Sequence, residues 1–227
     1  DKTKLDKLRN NLVKEIKKIF KINENNPETV LNNLHHYIKN IPSDKLNKKR
    51  IELINKLNKK NKYGNTIFDL FRNKIINLFG QDILIQKNIN IVIQSPNDQN
   101  PSEIHRDAPL NSSYEIVVWI PLVNCYKSKS MYILDFDKTN KALKFLQKNK
   151  LKWNRFEQYA KKISKNPKVD YGTALFFHAG LLHGSNINKE KETRISLNVR
   201  FKNLFSPTGL KNQLQYYRPL NISNTTK

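Results

Sequence analysis

Apolar residues in the first 80 positions recur every three or four residues, the period of helices that bury one face. This pattern predicts four helices, whose apolar faces lie within positions 5–19, 30–38, 46–57 and 67–79. Asn26 before Pro27 and Ser43 are predicted to cap the second and third helices. Gly80 is predicted to end the fourth helix in a left-handed conformation.

After Gly80 the pattern changes to short runs of β-branched and aromatic residues, which are typical of strands. These runs lie at positions 83–86, 89–94, 114–120, 131–134, 174–178 and 194–201. Between positions 138 and 162, apolar residues among lysines, Leu151 included, predict a helical or irregular insert over one edge of a barrel. We therefore expect one structural unit, with residues 1–80 as a helical N-terminal support and residues 81–227 as a β core.

The charge and the cysteine content limit the kinds of partner and compartment that we expect for the chain. Lys and Arg number 42 against 19 Asp and Glu, a formal net charge of +23, which suits a polyanion partner such as nucleic acid. The basic residues are spread along the chain, so a solvated surface is the preferred interpretation. The single cysteine, Cys125, excludes an internal disulfide, and no apolar run is long enough to span a bilayer. The lysine-rich start lacks a signal peptide's apolar core, and we expect a cytoplasmic protein with no membrane partner.

A His-x-Asp pair followed by a distant histidine is the main chemical signal. His105 and Asp107 would point to the same side of an extended segment, and His183 can close the set from a neighbouring strand. Two histidines and one carboxylate coordinate one face of Fe(II) and leave the remaining coordination positions open for a cosubstrate and O₂. Arg194, on the strand after His183, can hold the far carboxylate of 2-oxoglutarate, and Ser196 can add a hydroxyl bond. The sequence predicts an Fe(II)- and 2-oxoglutarate-dependent dioxygenase.

Two segments around these residues resemble the phytanoyl-CoA dioxygenase family. Phe176-Phe177-His178-Ala179-Gly180-Leu181-Leu182-His183-Gly184-Ser185-Asn186, followed by Arg194-Ile195-Ser196, is similar to that family's distal-histidine segment. The run at 114–122, Tyr-Glu-Ile-Val-Val-Trp-Ile-Pro-Leu, is similar to the strand after its His-x-Asp. The resemblance covers roughly residues 90 to 205. It implies a mainly β protein with N-terminal helices and a double-stranded β-helix (jelly roll, cupin-like) core.

The resemblance also assigns roles to individual residues. It implies that His105, Asp107 and His183 bind iron, with His183 rather than His178 as the distal ligand. Trp119 matches a position that flanks the cosubstrate, and an ordinary core aromatic is the equal alternative. Gln94 ends a strand before the metal loop; it either bonds cosubstrate or substrate or is a plain polar residue at a strand end.

The substrate is less constrained than the cofactors. The resemblance is closest to bacterial members from carbohydrate clusters, including the streptomycin-biosynthesis type. It implies oxidation of a sugar or nucleotide-linked sugar in surface-polysaccharide or aminoglycoside-like biosynthesis. Arg200, six positions after Arg194, reproduces the arginine pair of AlkB-type nucleic-acid demethylases, which are the alternative. A third reading is a metal-binding jelly roll without catalysis. The sequence leaves the oligomeric state open.

Overall fold

The computed structural model describes residues 2–150 and 152–227, so the predicted apolar position Leu151 lies outside the described residues. The N-terminal region is helical as predicted. Its helices are α1 (Lys2–Phe20), α2 (Pro27–Asn32), α3 (Leu34–Ile38), α4 (Ser43–Asn58) and α5 (Lys62–Phe79). Asn26 caps α2, because its side chain accepts from the N–H groups of Glu28 and Thr29. Gly80 ends α5 with φ +76°, a conformation that glycine adopts at little cost.

Two details of the predicted helices are wrong. The second predicted helix breaks at Asn33 into α2 and α3, because Thr193 binds the chain on both sides of the break. Its N–H donates to Asn32 O, and its Oγ1 accepts from His35 N. Ser43 is the first residue of α4 and not its cap; Pro42 holds the capping position, with no side-chain hydrogen bond there.

The β core consists of two antiparallel sheets. Its strands are β1 (Ile83–Gln86), β2 (Asn90–Gln94), β3 (Ile116–Pro121), β4 (Met131–Ile133), β5 (Leu175–His178), β6 (His183–Ser185), β7 (Arg194–Asn203) and β8 (Tyr217–Asn221). The larger sheet has the order β5-β3-β7-β1-β8, and β2 also pairs with β7. The smaller sheet pairs β4 with β6. The predicted runs each contain a strand, whereas β8 was not predicted.

Strand β7 lies at the centre of the larger sheet, and its two faces have different chemistry. Ile195, Leu197, Val199 and Phe201 belong to the main apolar core, which the helices share. The alternate residues of β7 are polar and face the other way, as period-two side-chain geometry requires. Arg194, Asn198 and Arg200 line a cavity together with His183, Gly184 and Ser185 of the smaller sheet. Two antiparallel sheets on either side of this cavity form the double-stranded β-helix core, and the predicted fold class is confirmed.

The predicted insert is helical and has a small core of its own. It forms α6 (Phe136–Lys148) and α7 (Trp153–Ile163). These helices pack over the smaller sheet around Ile104, Tyr132, Leu134, Ala142, Phe156, Ala160 and Leu182. Within the described ranges, no helix has the length and apolar character needed to cross a membrane.

Candidate metal centre

Backbone pairing holds together the segments that carry the three predicted metal ligands. His105 and His183 form an antiparallel pair in which each N–H donates to the other's carbonyl, at 2.9 and 3.0 Å. Directly opposed residues of such a pair project their side chains to the same face. Asp107 joins them because its N–H donates to Ala179 O, at 3.0 Å. The two histidines are 78 positions apart in the sequence, yet they and Asp107 lie close together in the fold.

The three side chains form a group that can hold one metal ion. One ligand atom from each of His105, Asp107 and His183 lies within 4.8 Å of the others. The His105 Nε2 and Asp107 Oδ1 atoms are 4.0 Å apart, and the two imidazole centroids are 4.3 Å apart. The donor set of two imidazoles and one carboxylate, with no thiolate, fits non-heme Fe(II). The structure brings the three predicted ligands together.

Both imidazoles are oriented by the backbone. The Nδ1 atom of His105 lies 2.8 Å from Glu103 O, and that of His183 lies 2.9 Å from Leu181 O. A carbonyl accepts only, so each Nδ1 carries the proton and each Nε2 keeps a free lone pair. Burial, and next the proximity of His105, lowers the pKa of His183 to about 4. His183 is therefore neutral near pH 7, the form that binds a metal.

Asp107 is held by Arg200. The Arg200 Nε donates to Asp107 Oδ2 at 3.1 Å, and Nη2 donates to Oδ1 at 2.7 Å. Burial acts to lower the pKa of Arg200, but Asp107, Tyr216 and Glu115 together outweigh it and the pKa is raised. Arg200 stays charged, and its bidentate pair with Asp107 is of the strong type.

Arg194 is a buried cation with free donors. Its side chain is 3% exposed, and Nη2 donates to Ser185 Oγ at 2.8 Å. Its Nε and Nη1 are buried without a partner, as is the Oγ of Ser196 on the same face of β7. Burial lowers the pKa of Arg194 to about 10, so it remains protonated at neutral pH. A buried guanidinium with unsatisfied donors beside an unsatisfied hydroxyl fits the carboxylate of a bound anion.

A cavity of about 380 Å³ connects His105 and His183 with Arg194. Trp119 lines it, where it was predicted to flank a cosubstrate. Gln94 is buried opposite Arg194 in the β2–β7 register, outside the cavity lining. Its Nε2 donates to Asn186 O at 2.7 Å and its Oε1 has no partner, so its predicted contact with a ligand stays a prediction.

His178 lies outside the site, whereas Asn198 and Gln86 belong to it but were not predicted from the sequence. His178 is exposed, and its Nδ1 accepts from Gly180 N at 3.0 Å, so it takes no part in the metal group. Asn198 lines the cavity with an unpartnered buried Oδ1, and Gln86 accepts from Arg200. The strict polar–apolar alternation along β7 was the signal that could have found Asn198. Gln86 has no such signal, because it reaches the site from the far end of β1.

No family model matches the chain, and no curated protein matches it. Among solved structures, the nickel complex of the non-heme monooxygenase ThoJ is 15% identical, covering 71% of this chain and 58% of that one, with a TM-score of 0.49. SnoN, a non-heme alpha-ketoglutarate-dependent epimerase from nogalamycin biosynthesis, is 15% identical over 67% of this chain and 57% of its own, with a TM-score of 0.43. The carbocyclase SnoK of the same biosynthesis is 14% identical over 66% and 63%, with a TM-score of 0.45. The chain spans about three fifths of the length of these proteins. At this distance, function has to be argued from the site.

Proposed function

We propose that the protein is an Fe(II)- and 2-oxoglutarate-dependent dioxygenase. One observation carries the proposal: the two histidines of a two-histidine, one-carboxylate group line a single cavity together with a buried guanidinium that has free donors. The first feature suits a metal that keeps open positions, and the second suits a dianionic cosubstrate. Membership of the phytanoyl-CoA dioxygenase family belongs to the same proposal.

Each residue of the site has a distinct task in this reaction. His105, Asp107 and His183 would hold the iron, and their fixed Nδ1–carbonyl bonds aim both Nε2 atoms at it. Arg194 and Ser196 would bind the distal carboxylate of 2-oxoglutarate. Bound there, iron and 2-oxoglutarate would supply O₂ activation and oxidation of a substrate C–H bond.

Aromatic side chains shape the interior of the cavity. The ring of Phe177 meets that of His183 edge-on, with centroids 4.8 Å apart. Phe177 and Trp119 both line the cavity from the larger sheet and are largely buried. Phe177 helps to keep His183 buried, whereas the His105 side chain is 43% exposed.

For the substrate, we propose a small polar molecule, a sugar or a nucleotide-linked sugar. Support comes from the side of the cavity formed by the turn into β2 and by the metal loop. Asn88, Asn90 and Ser102 line it there with hydrogen-bonding groups, next to the aliphatic side chains of Ile54 and Ile91. A sugar ring offers both hydroxyls and C–H faces to such a lining. Surface-polysaccharide or aminoglycoside-like biosynthesis in the cytoplasm would be the setting.

The cofactor assignment is tested by anaerobic addition of Fe(II) and 2-oxoglutarate to the metal-free protein. We expect a visible metal-to-ligand charge-transfer band that His183→Ala abolishes and Arg194→Ala weakens. Arg72→Ala is the control, because Arg72 is exposed and pairs only with Asp69 among its charged neighbours in the described residues. Absence of the band in the wild type would overturn the proposal.

The substrate assignment needs a second experiment under air. Sugar nucleotides should increase the conversion of 2-oxoglutarate to succinate above the uncoupled rate, whereas fatty acyl-CoA should not. Demethylation of a methylated oligonucleotide, with binding that weakens steeply with salt, would instead favour the AlkB-type alternative. The contact of Arg200 with Asp107 serves any substrate class and does not favour that alternative. Metal binding without any succinate formation would indicate a non-catalytic jelly roll.

A further inference from the structure

Arg200 has its side-chain donors engaged inside the protein. In addition to the two bonds to Asp107, its Nη1 donates to Gln86 Oε1 at 3.0 Å. The guanidinium is planar, so three fixed bonds define both its position and the plane in which its N–H groups lie. The carboxylate of Asp107 is thereby held in a defined rotation about its own axis.

A second buried carboxylate, that of Glu115, also lies next to the Arg200 guanidinium. Glu115 Oε1 lies 3.4 Å from Arg200 Nε, and the Glu115 side chain is fully buried. Glu115 in turn accepts from Asn111 Nδ2, at 3.0 Å, and from the Tyr217 hydroxyl. Burial raises the pKa of Glu115, against the opposing effect of Tyr217, Asn111 and Arg200. This chain of contacts connects the last strand, β8, to the metal ligand.

The two oxygens of Asp107 are not equivalent in this arrangement. Oδ1 is the oxygen 4.0 Å from His105 Nε2, whereas Oδ2 is bound by Arg200 Nε. Each oxygen accepts one bond from Arg200 and keeps a further lone pair, so the orientation of the carboxylate, and not the number of its bonds, directs Oδ1 towards the histidines. If Oδ2 also bound the metal, Asp107 would occupy two coordination positions. The 2-oxo acid needs two positions and O₂ a third, so chelation by Asp107 would block one of them.

We infer that Arg200 is a positioning residue that makes Asp107 a one-oxygen ligand and so preserves the three open positions of the metal. This inference rests on the proposed function, since it concerns the same site. Arg200 acts through Asp107 and touches neither metal nor cosubstrate in this role. Gln86 and Glu115 support it by fixing the guanidinium.

The experiment uses Mn(II), which binds oxygen and nitrogen ligands as Fe(II) does, is stable in air and reports on its bound water. Arg200→Lys keeps the charge next to Asp107 but removes the fork, so it separates orientation from electrostatics. The number of water molecules on Mn(II) is measured from the field dependence of water proton relaxation. We expect the variant to carry one water fewer than the wild type, because the Asp107 carboxylate can then turn and bring Oδ2 to the metal as well. Mn(II) affinity should also change, by about 10- to 100-fold, as for other groups that orient a ligand.

Arg72→Lys is the matched control and should behave as the wild type, since Arg72 lies on the surface of α5. Wild-type water count and affinity in Arg200→Lys would overturn the inference, while a charge-transfer band in the wild type would leave the proposed function standing. If Arg200→Lys does not fold, Gln86→Met tests the same point, because it removes the acceptor that orients Nη1 and otherwise only the long bond from Gln86 Nε2 to Asn90 Oδ1, at 3.4 Å. A wild-type water count in Gln86→Met would then overturn the inference. Failure of the wild type to bind Mn(II) would overturn the proposed function itself.

Discussion

The unsatisfied hydroxyl of Ser196 favours a binding role for this residue over a structural one. Its hydroxyl is fully buried on β7 and has no partner, although buried polar groups are nearly always bonded. Such a group lowers stability by about 1–3 kcal/mol unless a ligand satisfies it. Together with the free donors of Arg194, it supports the proposal that these two residues bind an anion.

We therefore expect Ser196→Ala to leave the ligand-free protein at least as stable as the wild type while weakening 2-oxoglutarate binding. A hydrogen bond to a charged group contributes about 1.5–3 kcal/mol, which corresponds to roughly tenfold or more in the dissociation constant. Urea unfolding and titration of the charge-transfer band measure the two effects. Ser130→Ala is the control, because Ser130 is also buried but its Oγ donates to Pro167 O. That variant should lose about 1 kcal/mol of stability with 2-oxoglutarate binding unchanged. An unchanged 2-oxoglutarate affinity in Ser196→Ala would remove Ser196 from the cosubstrate site.

At the level of elements, the short strand β6 depends on a glycine. Gly184 lies between His183 and Ser185 and faces Tyr132 of β4 in the register of the smaller sheet. A Cβ atom at this position would lie 2.5 Å from the Tyr132 hydroxyl oxygen and 3.0 Å from Glu103 O. No real Cβ contact is as short as the first of these, so either the fully buried Tyr132 side chain or one of the two strands would have to move. Close packing of β4 on β6 thus determines where His183 is placed.

Gly184→Ala should accordingly destabilise the protein by about 1–3 kcal/mol, the usual effect of overpacking, and weaken metal binding. Urea unfolding and Mn(II) titration measure these quantities. The double variant Gly184→Ala, Tyr132→Leu makes room for the new methyl group. Because the two residues are in contact, its loss of stability should be smaller than the sum of the single losses. Strict additivity, or wild-type metal affinity in Gly184→Ala, would contradict this account.

Two features of the elements could not be predicted from the local sequence pattern. The helix break at Asn33 follows from bonds to Thr193, which is more than 150 positions away. Strand β8 contains Pro219 and ends at Asn221, residues that argue against a strand. It forms because it lies at an edge of the sheet, where one side needs no ladder bonds. Both features depend on partners elsewhere in the chain, and the sequence pattern gave no sign of either.

At the scale of the whole molecule, the metal ligands lie between two apolar cores. The smaller core under α6 and α7 includes Ile104 and Leu182, the residues directly before His105 and His183. The larger core packs the helices against the opposite face of the larger sheet. The insert therefore supports the two histidines from the side that faces away from the cavity, although none of its described residues lines the cavity.

Phe156→Ala should lower the free energy of unfolding by about 3–5 kcal/mol, as expected for a buried phenylalanine, and should also weaken Mn(II) binding by the folded protein. The reason is that the cavity it leaves lies beneath the ligand segments. Phe68→Ala is the control, because Phe68 is equally buried but packs against Phe201 in the larger core. It should lose comparable stability with metal affinity unchanged. Equal effects of the two variants on metal affinity would show that the smaller core has no special role.

The sequence by itself determined the chemistry of the site and the faces of its elements. His105, Asp107, His183 and Arg194 are recognisable as residue types in a spacing, and the alternation along β7 already separates a polar face from an apolar one. Only the tertiary structure decided that Arg200 holds Asp107, 93 positions away, and meets Gln86, 114 positions away. The physical reason is that periodicity records which face of a helix or strand a residue occupies. Which distant residue it meets depends on strand order and register, and these emerge only when the sheets pack.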